Sequence, residues 1–400
     1  MRPMHKAIIR LKPREDRRLR AGHLWIFSNE IDTDATPLKV FEPGDPVIVE
    51  SASGRPLGTG YVNPRSLISV RLLSADSRQR IDRAFLTGRI RAAWSWRERL
   101  GAGPYYRLIF GEADGLPGLV VDRYGDVLVA QITTAGMDRL WPEIMAALEE
   151  VVRPTSILLR NDTSSRALEG LPRAVEAALG EPPAEVEVRE NGGRFRLSLR
   201  EGQKTGWFYD QRLNRARLAA YVKDKRVLDL FSYVGGFGIQ AALAGAREVV
   251  LVDASQQALA YAQENAAANG VGAQVTTAQG DVPMFLKSLR EEGRRFDVVI
   301  CDPPALIKRR KDQEEGVIAY QRLNQAALAV VEDGGVLVSA SCSHHLARDQ
   351  LVRVVGQAAV RAGRRVQFVE EGGQGPDHPV HPAIAETAYL KVFFAHCMDA

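Results

Sequence analysis

The stretch Val227-Leu-Asp-Leu-Phe-Ser-Tyr-Val-Gly-Gly-Phe-Gly238 limits the possible folds more than any other part of this chain. An apolar run of strand length enters a turn containing Gly235, Gly236 and Gly238, and helical spacing follows. Glycine tolerates positive φ and has no Cβ, so such a turn lets backbone approach a bound nucleotide closely. Val249-Val-Leu-Val-Asp253 follows at the spacing of one βαβ unit and ends in an acid placed for a ribose diol. Two further strand-like runs, Phe296-Asp-Val-Val-Ile-Cys-Asp-Pro-Pro304 and Val336-Leu-Val-Ser-Ala-Ser-Cys-Ser343, each end in reactive side chains.

From about residue 185 onward, strands alternate with helices. Strands are expected at 226–231, 248–253, 296–301, 335–340 and 366–370, with a terminal strand from Tyr389 to Phe394. Helices are expected over about 236–244 and 254–269, each stopped by a glycine, Gly245 and Gly270. This alternation predicts an α/β domain over 185–400 with a doubly wound parallel sheet that binds ligands at the carboxyl ends of its strands. Upstream, short strands with frequent Gly and Pro turns predict a compact β-barrel over 1–75. Helical periodicity at 82–100, a hairpin around Arg123-Tyr-Gly-Asp126, a helix at about 138–152 and a strand at 156–160 predict an α+β middle domain over 76–184.

Composition sets the outer limits. Apolar content of 45% and charged content of 26% are ordinary for a water-soluble chain of 400 residues. No apolar run reaches the length of a membrane span, and the first residues lack the apolar core of a signal peptide. Three cysteines, Cys301, Cys342 and Cys397, argue against a disulfide framework and for a reducing, cytoplasmic setting. The net charge is only +4, but residues 1–20 hold eight cations: Arg2, Lys6, Arg10, Lys12, Arg14, Arg17, Arg18 and Arg20. Lys308-Arg-Arg-Lys311 forms a second basic run beside the Asp-Pro-Pro motif. Each alone is ordinary solvated surface; together, their placement favours a polyanionic substrate such as nucleic acid.

The candidate chemistry sits at strand ends. The glycine turn lacks a P-loop signature and departs from the dinucleotide G-x-G-x-x-G pattern. Asp229 is placed to meet a cofactor amino group, Asp253 the ribose hydroxyls and Asp281 an adenine amino group. This distribution suits S-adenosylmethionine better than NAD or ATP. Asp302-Pro-Pro304 makes a stiff loop that can hold a carboxylate against a planar base edge. Cys342 is either an inert core thiol or a nucleophile. As a nucleophile it answers a specific need: carbon 5 of cytosine cannot attack a methyl group until a thiolate has added at carbon 6. Cys301 reads as core by strand alternation, and Cys397 as incidental. His344, His345, Asp377 and His378 fit no common zinc spacing, so no metal is expected. Asp377 or His378 could line the cleft or accept a proton. Gly202–Arg212 reads as a domain-joining loop or as a lid, with Lys204 or Arg212 meeting a carboxylate.

The chain also resembles, along almost its whole length, the class I S-adenosylmethionine-dependent RNA methyltransferases related to the bacterial large-subunit rRNA 5-methylcytidine enzyme. Lys12–Glu30 is similar to that family's RNA-binding PUA domain, and Gly111–Tyr124 to its middle domain. Gly202–Arg212, Phe231–Phe237, Cys301–Pro304, Ser341–Ser343 and Asp377–Pro379 match its catalytic motifs in order. The resemblance implies methylation of cytidine carbon 5, with Cys342 as nucleophile and Asp302 contacting the base. It implies a cofactor site drawn from Phe231, Ser232, Tyr233, Gly235, Gly236, Asp253, Ala254, Asp281, Gln203, Lys204, Tyr209 and Arg212. The family's Lys-Phe after the two prolines is replaced here by Ala305-Leu306, and no second cysteine follows Asp302. The implied partner is large-subunit rRNA, with no membrane; a homodimer stays open. An amino-group methyltransferase on an rRNA base and a non-catalytic RNA-binding assembly factor are the alternatives.

Overall fold

The computed structural model describes residues 7–400; Arg2 and Lys6 of the first basic run lie outside them. The chain divides into two compact units. One contains the chain up to Ala184 together with Leu199–Gly206 and Pro376–Thr387. The other contains Glu185–Ser198, Trp207–Gly375 and Ala388–Ala400.

The first unit carries two sheets. Strands β1 (Ala7–Arg10), β2 (Trp25–Phe27), β3 (Asp45–Glu50), β4 (Pro56–Val62) and β5 (Ile68–Ser74) pair in the order β1-β3-β4-β5-β2. The two edges meet just beyond β1: Leu11 bridges Ile31, Lys12 N–H donates to Glu30 O at 2.9 Å, and Asp32 N–H to Arg10 O at 2.9 Å. The expected barrel therefore forms, around Ile9, Leu11, Ile26, Val47, Val49 and Val70. Alternation along β3 turns Val47 and Val49 inward. Strands β6 (Tyr105–Phe110), β7 (Leu119–Tyr124), β8 (Val127–Ile132), β9 (Ser156–Arg160) and β10 (Val175–Leu179) make the second sheet. Helices Arg83–Glu98 and Trp141–Val152 pack against it through Leu86, Ile90, Ile144 and Leu148. Asp82 caps the first helix by accepting from Phe85 N–H at 3.1 Å. The helix expected over 138–152 is broken into Ala135–Arg139 and Trp141–Val152, because Pro142 is accepted only within a first turn.

The second unit opens with a hairpin that the sequence reading does not place, β11 (Glu185–Glu190) and β12 (Gly193–Ser198). Asn191 and Gly192 both have positive φ, the requirement of a type I′ turn. A sheet of seven strands follows: β13 (Arg226–Leu230), β14 (Glu248–Asp253), β15 (Val275–Gln279), β16 (Phe296–Cys301), β17 (Val331–Ser341), β18 (Arg364–Gly373) and β19 (Lys391–Asp399). Their order is β15-β14-β13-β16-β17-β19-β18. The first five are parallel and helices connect them; the edge strand β15 is absent from the expected strands, its Val-Thr-Thr-Ala-Gln being too polar to mark it. The wholly parallel sheet is corrected at its end: β19 inserts between β17 and β18, antiparallel to both. No long helix joins β18 to β19, so the chain has no crossover to make a parallel return. Chain order reverses at β13, whose neighbours are β14 and β16, and this switch point is where a doubly wound sheet opens its binding crevice.

Candidate active site

The register places the motif residues side by side. Leu230 pairs with Val252 and Cys301, and Cys301 pairs with Ser339. Asp253, the 231–236 loop, Asp302 and Cys342 therefore emerge in sequence along the carboxyl edge of four adjacent strands.

The loop after β13 is bent hard. Phe231, Tyr233 and Gly235 have φ of 61°, 50° and 86°. Left-handed backbone in a bulky aromatic residue costs of order 1–3 kcal/mol and persists where the surroundings impose it. Part of that constraint is visible. Asp253 Oδ2 accepts from Tyr233 N–H at 2.9 Å, and its Oδ1 from Ser255 N–H at 2.8 Å. Gly238 has no room for a side chain, since a Cβ there would lie 2.2 Å from Leu251 Cδ2. Asp229 is 1% exposed and accepts from Gly238 N–H at 2.8 Å, which anchors the start of the helix Gly236–Leu243. Burial pushes its carboxyl up to about 8, and the charges of Asp302 and Asp253 add to the shift. Three carboxyl groups thus share one edge. The Ser232 hydroxyl in the same loop is buried without a partner among the described residues.

A second cluster braces this loop from beneath. Glu190, at the end of β11, is buried and accepts from Arg215 Nε at 2.6 Å, Trp207 Nε1 at 2.9 Å, Gln240 Nε2 at 3.0 Å and Arg212 Nε at 3.3 Å. Burial opposes its ionisation, but Arg215 and Arg212 prevail and hold it below the usual carboxylate range. Arg215 stacks on the Trp207 ring at 4.5 Å and Arg212 on the Tyr209 ring at 5.4 Å. Sequence reasoning missed Glu190. Its signal was an acid closing an alternating strand before Asn-Gly, which reads as ordinary surface until the hairpin is recognised.

The reacting half lies beyond β16 and β17. Asp302 Oδ2 accepts from Gln211 Nε2 at 2.8 Å, and Gln211 Oε1 accepts from Asn214 Nδ2 at 2.6 Å. The Tyr320 hydroxyl lies 2.9 Å from both Ser341 Oγ and Ser343 Oγ, the two neighbours of Cys342. Ile307 N–H donates to the same Ser343 Oγ at 3.3 Å, which ties the loop after Asp302 to the loop that carries the thiol. Lys391 sits opposite Ser341 in the ladder and donates from Nζ to Ser343 O at 2.6 Å and Tyr389 O at 2.8 Å. Burial pushes its ammonium down to about 8, against the pull of Cys342. Of the three thiols, Cys301 and Cys397 are buried, and burial pushes the first far up and the second up to about 11. Cys342 alone is partly open to solvent.

Other expected residues are placed differently. Asp281 caps the helix Val282–Glu291, accepting from Met284 N–H at 3.1 Å. Ala254 is exposed next to Asp253, and its carbonyl accepts from Gln279 Nε2 at 3.3 Å. Gln203 and Lys204 belong to the first unit, where Gly206 N–H donates to Gln203 O at 2.8 Å. Asp377 and His378 also belong to the first unit and are buried there. The Asp377 carboxylate accepts from Arg107 N–H at 3.0 Å and meets His378 Nδ1 at 3.0 Å. Among the described residues no group of His, Cys, Asp or Glu could hold a metal, and no helix is long and apolar enough to cross a membrane.

The sheet order and this edge define a Rossmann-like, S-adenosylmethionine-dependent methyltransferase. Residues 170–394 match the S-adenosylmethionine-dependent methyltransferase family and residues 9–75 match the PUA-like domain, and the chain belongs to that methyltransferase family. Curated relatives named ribosomal RNA large subunit methyltransferase I include one from Cronobacter sakazakii, 36% identical over 99% of this chain and 100% of its own length. Another, from Shewanella denitrificans, is 39% identical over 96% of this chain and 97% of its own. In fold, the chain is similar to a putative S-adenosylmethionine-dependent methyltransferase from Streptococcus mutans, with a TM-score of 0.83, 21% identity, and 98% and 100% of the two chains covered. A putative methyltransferase solved with S-adenosylhomocysteine gives a TM-score of 0.84 at 21% identity over the same shares. The site suits the cofactor on its own terms. A cationic sulfonium and ammonium match an edge of three carboxyl groups, and the buried Ser232 hydroxyl awaits a polar partner.

Proposed function

We propose that this protein methylates carbon 5 of a cytidine in large-subunit ribosomal RNA through a transient bond from Cys342 Sγ to carbon 6. The observation that carries the proposal is the position of Cys342. It is the one partly exposed thiol of three and lies on the strand next to Asp302, two strands from the cofactor loop. The relatives' name supplies the RNA class, and the PUA-like match fits it. Phe231, Ser232, Tyr233, Gly235, Gly236 and Asp253 would hold S-adenosylmethionine, with Tyr209 and Arg212 bracing them and Ala254, Asp281, Gln203 and Lys204 as further candidates. When bound, the cofactor supplies an electrophilic methyl group.

The residues of this chain do the rest. The Cys342 thiolate adds to carbon 6, and the electrons of the 5,6 double bond shift into a 4,5 double bond while the 3,4 pair moves onto N3, leaving carbon 5 nucleophilic as an enamine carbon. After carbon 5 gains the methyl, its proton leaves to a base, the double bond re-forms and the sulfur–carbon bond breaks. Asp302 holds the base by its amino edge, oriented by Gln211. Lys391 and Tyr320 fix the backbone around the thiol. The target base must be unpaired or flipped to reach this edge. A cytoplasmic setting suits a chain with three cysteines, an odd number too sparse for a disulfide framework.

RNA carrying 5-fluorocytidine tests the mechanism, because fluorine cannot leave carbon 5 as a proton does. Incubation with S-adenosylmethionine should give a protein–RNA adduct stable in denaturant, abolished by Cys342→Ala. Full methylation by Cys342→Ala would instead establish an amino-group methyltransferase.

A further inference from the structure

The amino ends of the parallel strands form the pole of the second unit away from Asp302 and Cys342. β16 has six residues, which separates its ends by about 20 Å. This pole holds a cleft of 570 Å³ whose walls carry Arg290, Arg295, Arg322, Arg361 and Arg364 against a single acid, Asp399. Arg364 lies deepest, 5% exposed. Its Nη1 donates to Asp399 Oδ1 at 2.6 Å and its Nη2 to Glu332 O at 2.8 Å. Its Nε is buried with no acceptor among the described residues. The one carboxylate is therefore already engaged. Arg361 bonds only a neutral group, Gln321 Oε1, at 2.9 Å. Arg290, Arg295 and Arg322 have no carboxylate partner among the described residues.

Cations in the last turn of a helix are ordinary, and this accounts for Arg290 and Arg361. It does not account for Arg322, in the middle of the helix Gln313–Leu328, or for Arg295, just ahead of β16. Five guanidinium groups around one cleft repel one another unless an anion enters. The remaining lining is alanine, glycine and Gln325, with no aromatic ring to stack a base. Such a wall recognises phosphate and is indifferent to sequence.

We propose that this cleft binds consecutive phosphates of the substrate RNA, on a segment separate from the target nucleotide. The inference rests on the reading of the substrate as RNA. It makes the methyltransferase unit itself a second electrostatic handle, distinct from the barrel and from the basic run at Lys308–Lys311.

The test uses the full-length Arg295→Ala/Arg322→Ala variant, in which Arg364 and its buried contacts are untouched. Binding of a transcribed large-subunit rRNA is measured over a salt series. Losing two phosphate contacts should flatten the slope of log K against log salt by about 1.4–1.8, raise KM about tenfold or more and leave kcat unchanged. Calorimetric titration with inorganic tripolyphosphate reads the cleft directly: the wild type should bind and the variant should not. An unchanged RNA slope overturns the proposal. Tripolyphosphate binding lost in the variant while RNA binding is unaffected makes the cleft a small-anion site and also overturns it. A wild type with no affinity for the rRNA at any salt removes the RNA reading itself, and is told apart from failure of the cleft because the wild-type slope is then absent.

Discussion

Lys391 holds the carbonyl of Ser343 at 2.6 Å, so the backbone just past Cys342 is pinned from the one strand of the sheet that runs against its neighbours. The antiparallel insertion of β19 makes this contact available. A parallel final strand would send its first residues to the other pole. Lys391 also places a cation near the thiol, since its ammonium feels the charge of Cys342. Its value, lowered to about 8 by burial, sets the sign of two effects. A lysine depressed by folding destabilises most below pH 8, where it must be buried charged, and that penalty fades as pH rises toward 10.5. The attraction it offers a thiolate runs the other way and is lost above pH 8. Lys391→Met should therefore move the acid limb of the methylation rate to higher pH and erase the fall above pH 8. It should lower the rate at pH 7.5 by roughly 10–100-fold, with S-adenosylmethionine affinity unchanged by calorimetry. A uniform drop in rate with no change in the shape of the profile would leave Lys391 a purely structural residue.

Asp302 accepts a side-chain hydrogen bond from Gln211 at 2.8 Å, and Gln211 is in turn fixed by Asn214. Gln211→Leu keeps the volume and removes the donor. The expected outcome is a fall in kcat of about tenfold, the scale of losing one orienting bond near a reacting group. Cofactor affinity should stay within twofold. Single-turnover methylation of RNA beside calorimetry on the same sample gives both numbers.

Glu190 holds two arginines in a buried cluster beside the 231–236 loop. Glu190→Ala strands both charges and should cost about 3–5 kcal/mol, the range for breaking a buried ion pair from one side. Thermal melting of the full chain reads it as a drop of several degrees. The pH dependence follows from the lowered carboxyl. Its stabilisation is complete above 4.5, its ordinary value, and is lost as pH falls through the lower folded value. Wild type should thus lose stability on acidification below 4.5 more steeply than Glu190→Gln, which has no proton to take up.

The legible parts of this fold were those written in contiguous residues. The run Val227–Gly238 declares a strand, a turn and a helix within its own length, and four of the five parallel strands contain an apolar block of their own, while the edge strand β15 (Val-Thr-Thr-Ala-Gln) does not. β19 was legible as a strand but not in its direction, because direction depends on what the preceding connection lacks. The β11–β12 hairpin carried an open signal in Asn191-Gly192, overlooked because its strands alternate Glu and Arg with Val and Phe on a weakly apolar face. Within the site, the acids and the cysteine could be picked out by position at strand ends. Glu190, Gln211, Tyr320 and Lys391 could not: each acts on a residue or loop that the linear order does not place beside it. Asp281 carries a second role that its place ahead of a helix foretells, the cap of Val282–Glu291.

Asp253 offers the sharpest test of the cofactor loop. Its two carboxylate oxygens accept from Tyr233 N–H and Ser255 N–H, so it shapes the left-handed turn, and in the proposed function it also grips a ribose diol. Two substitutions separate these roles. Asn at 253 keeps an acceptor for one backbone amide and loses the charge; Ala loses both. A diol gripped by a carboxylate makes two charge-assisted bonds, each about 1.5–3 kcal/mol. Asp253→Asn should therefore weaken S-adenosylmethionine at least tenfold while melting within a few degrees of wild type. Asp253→Ala should weaken it further and also lower the melting temperature, because Tyr233 then holds its strained φ without support. Equal cofactor affinity in wild type and Asp253→Asn, measured by calorimetry at one salt concentration, would confine Asp253 to supporting the turn.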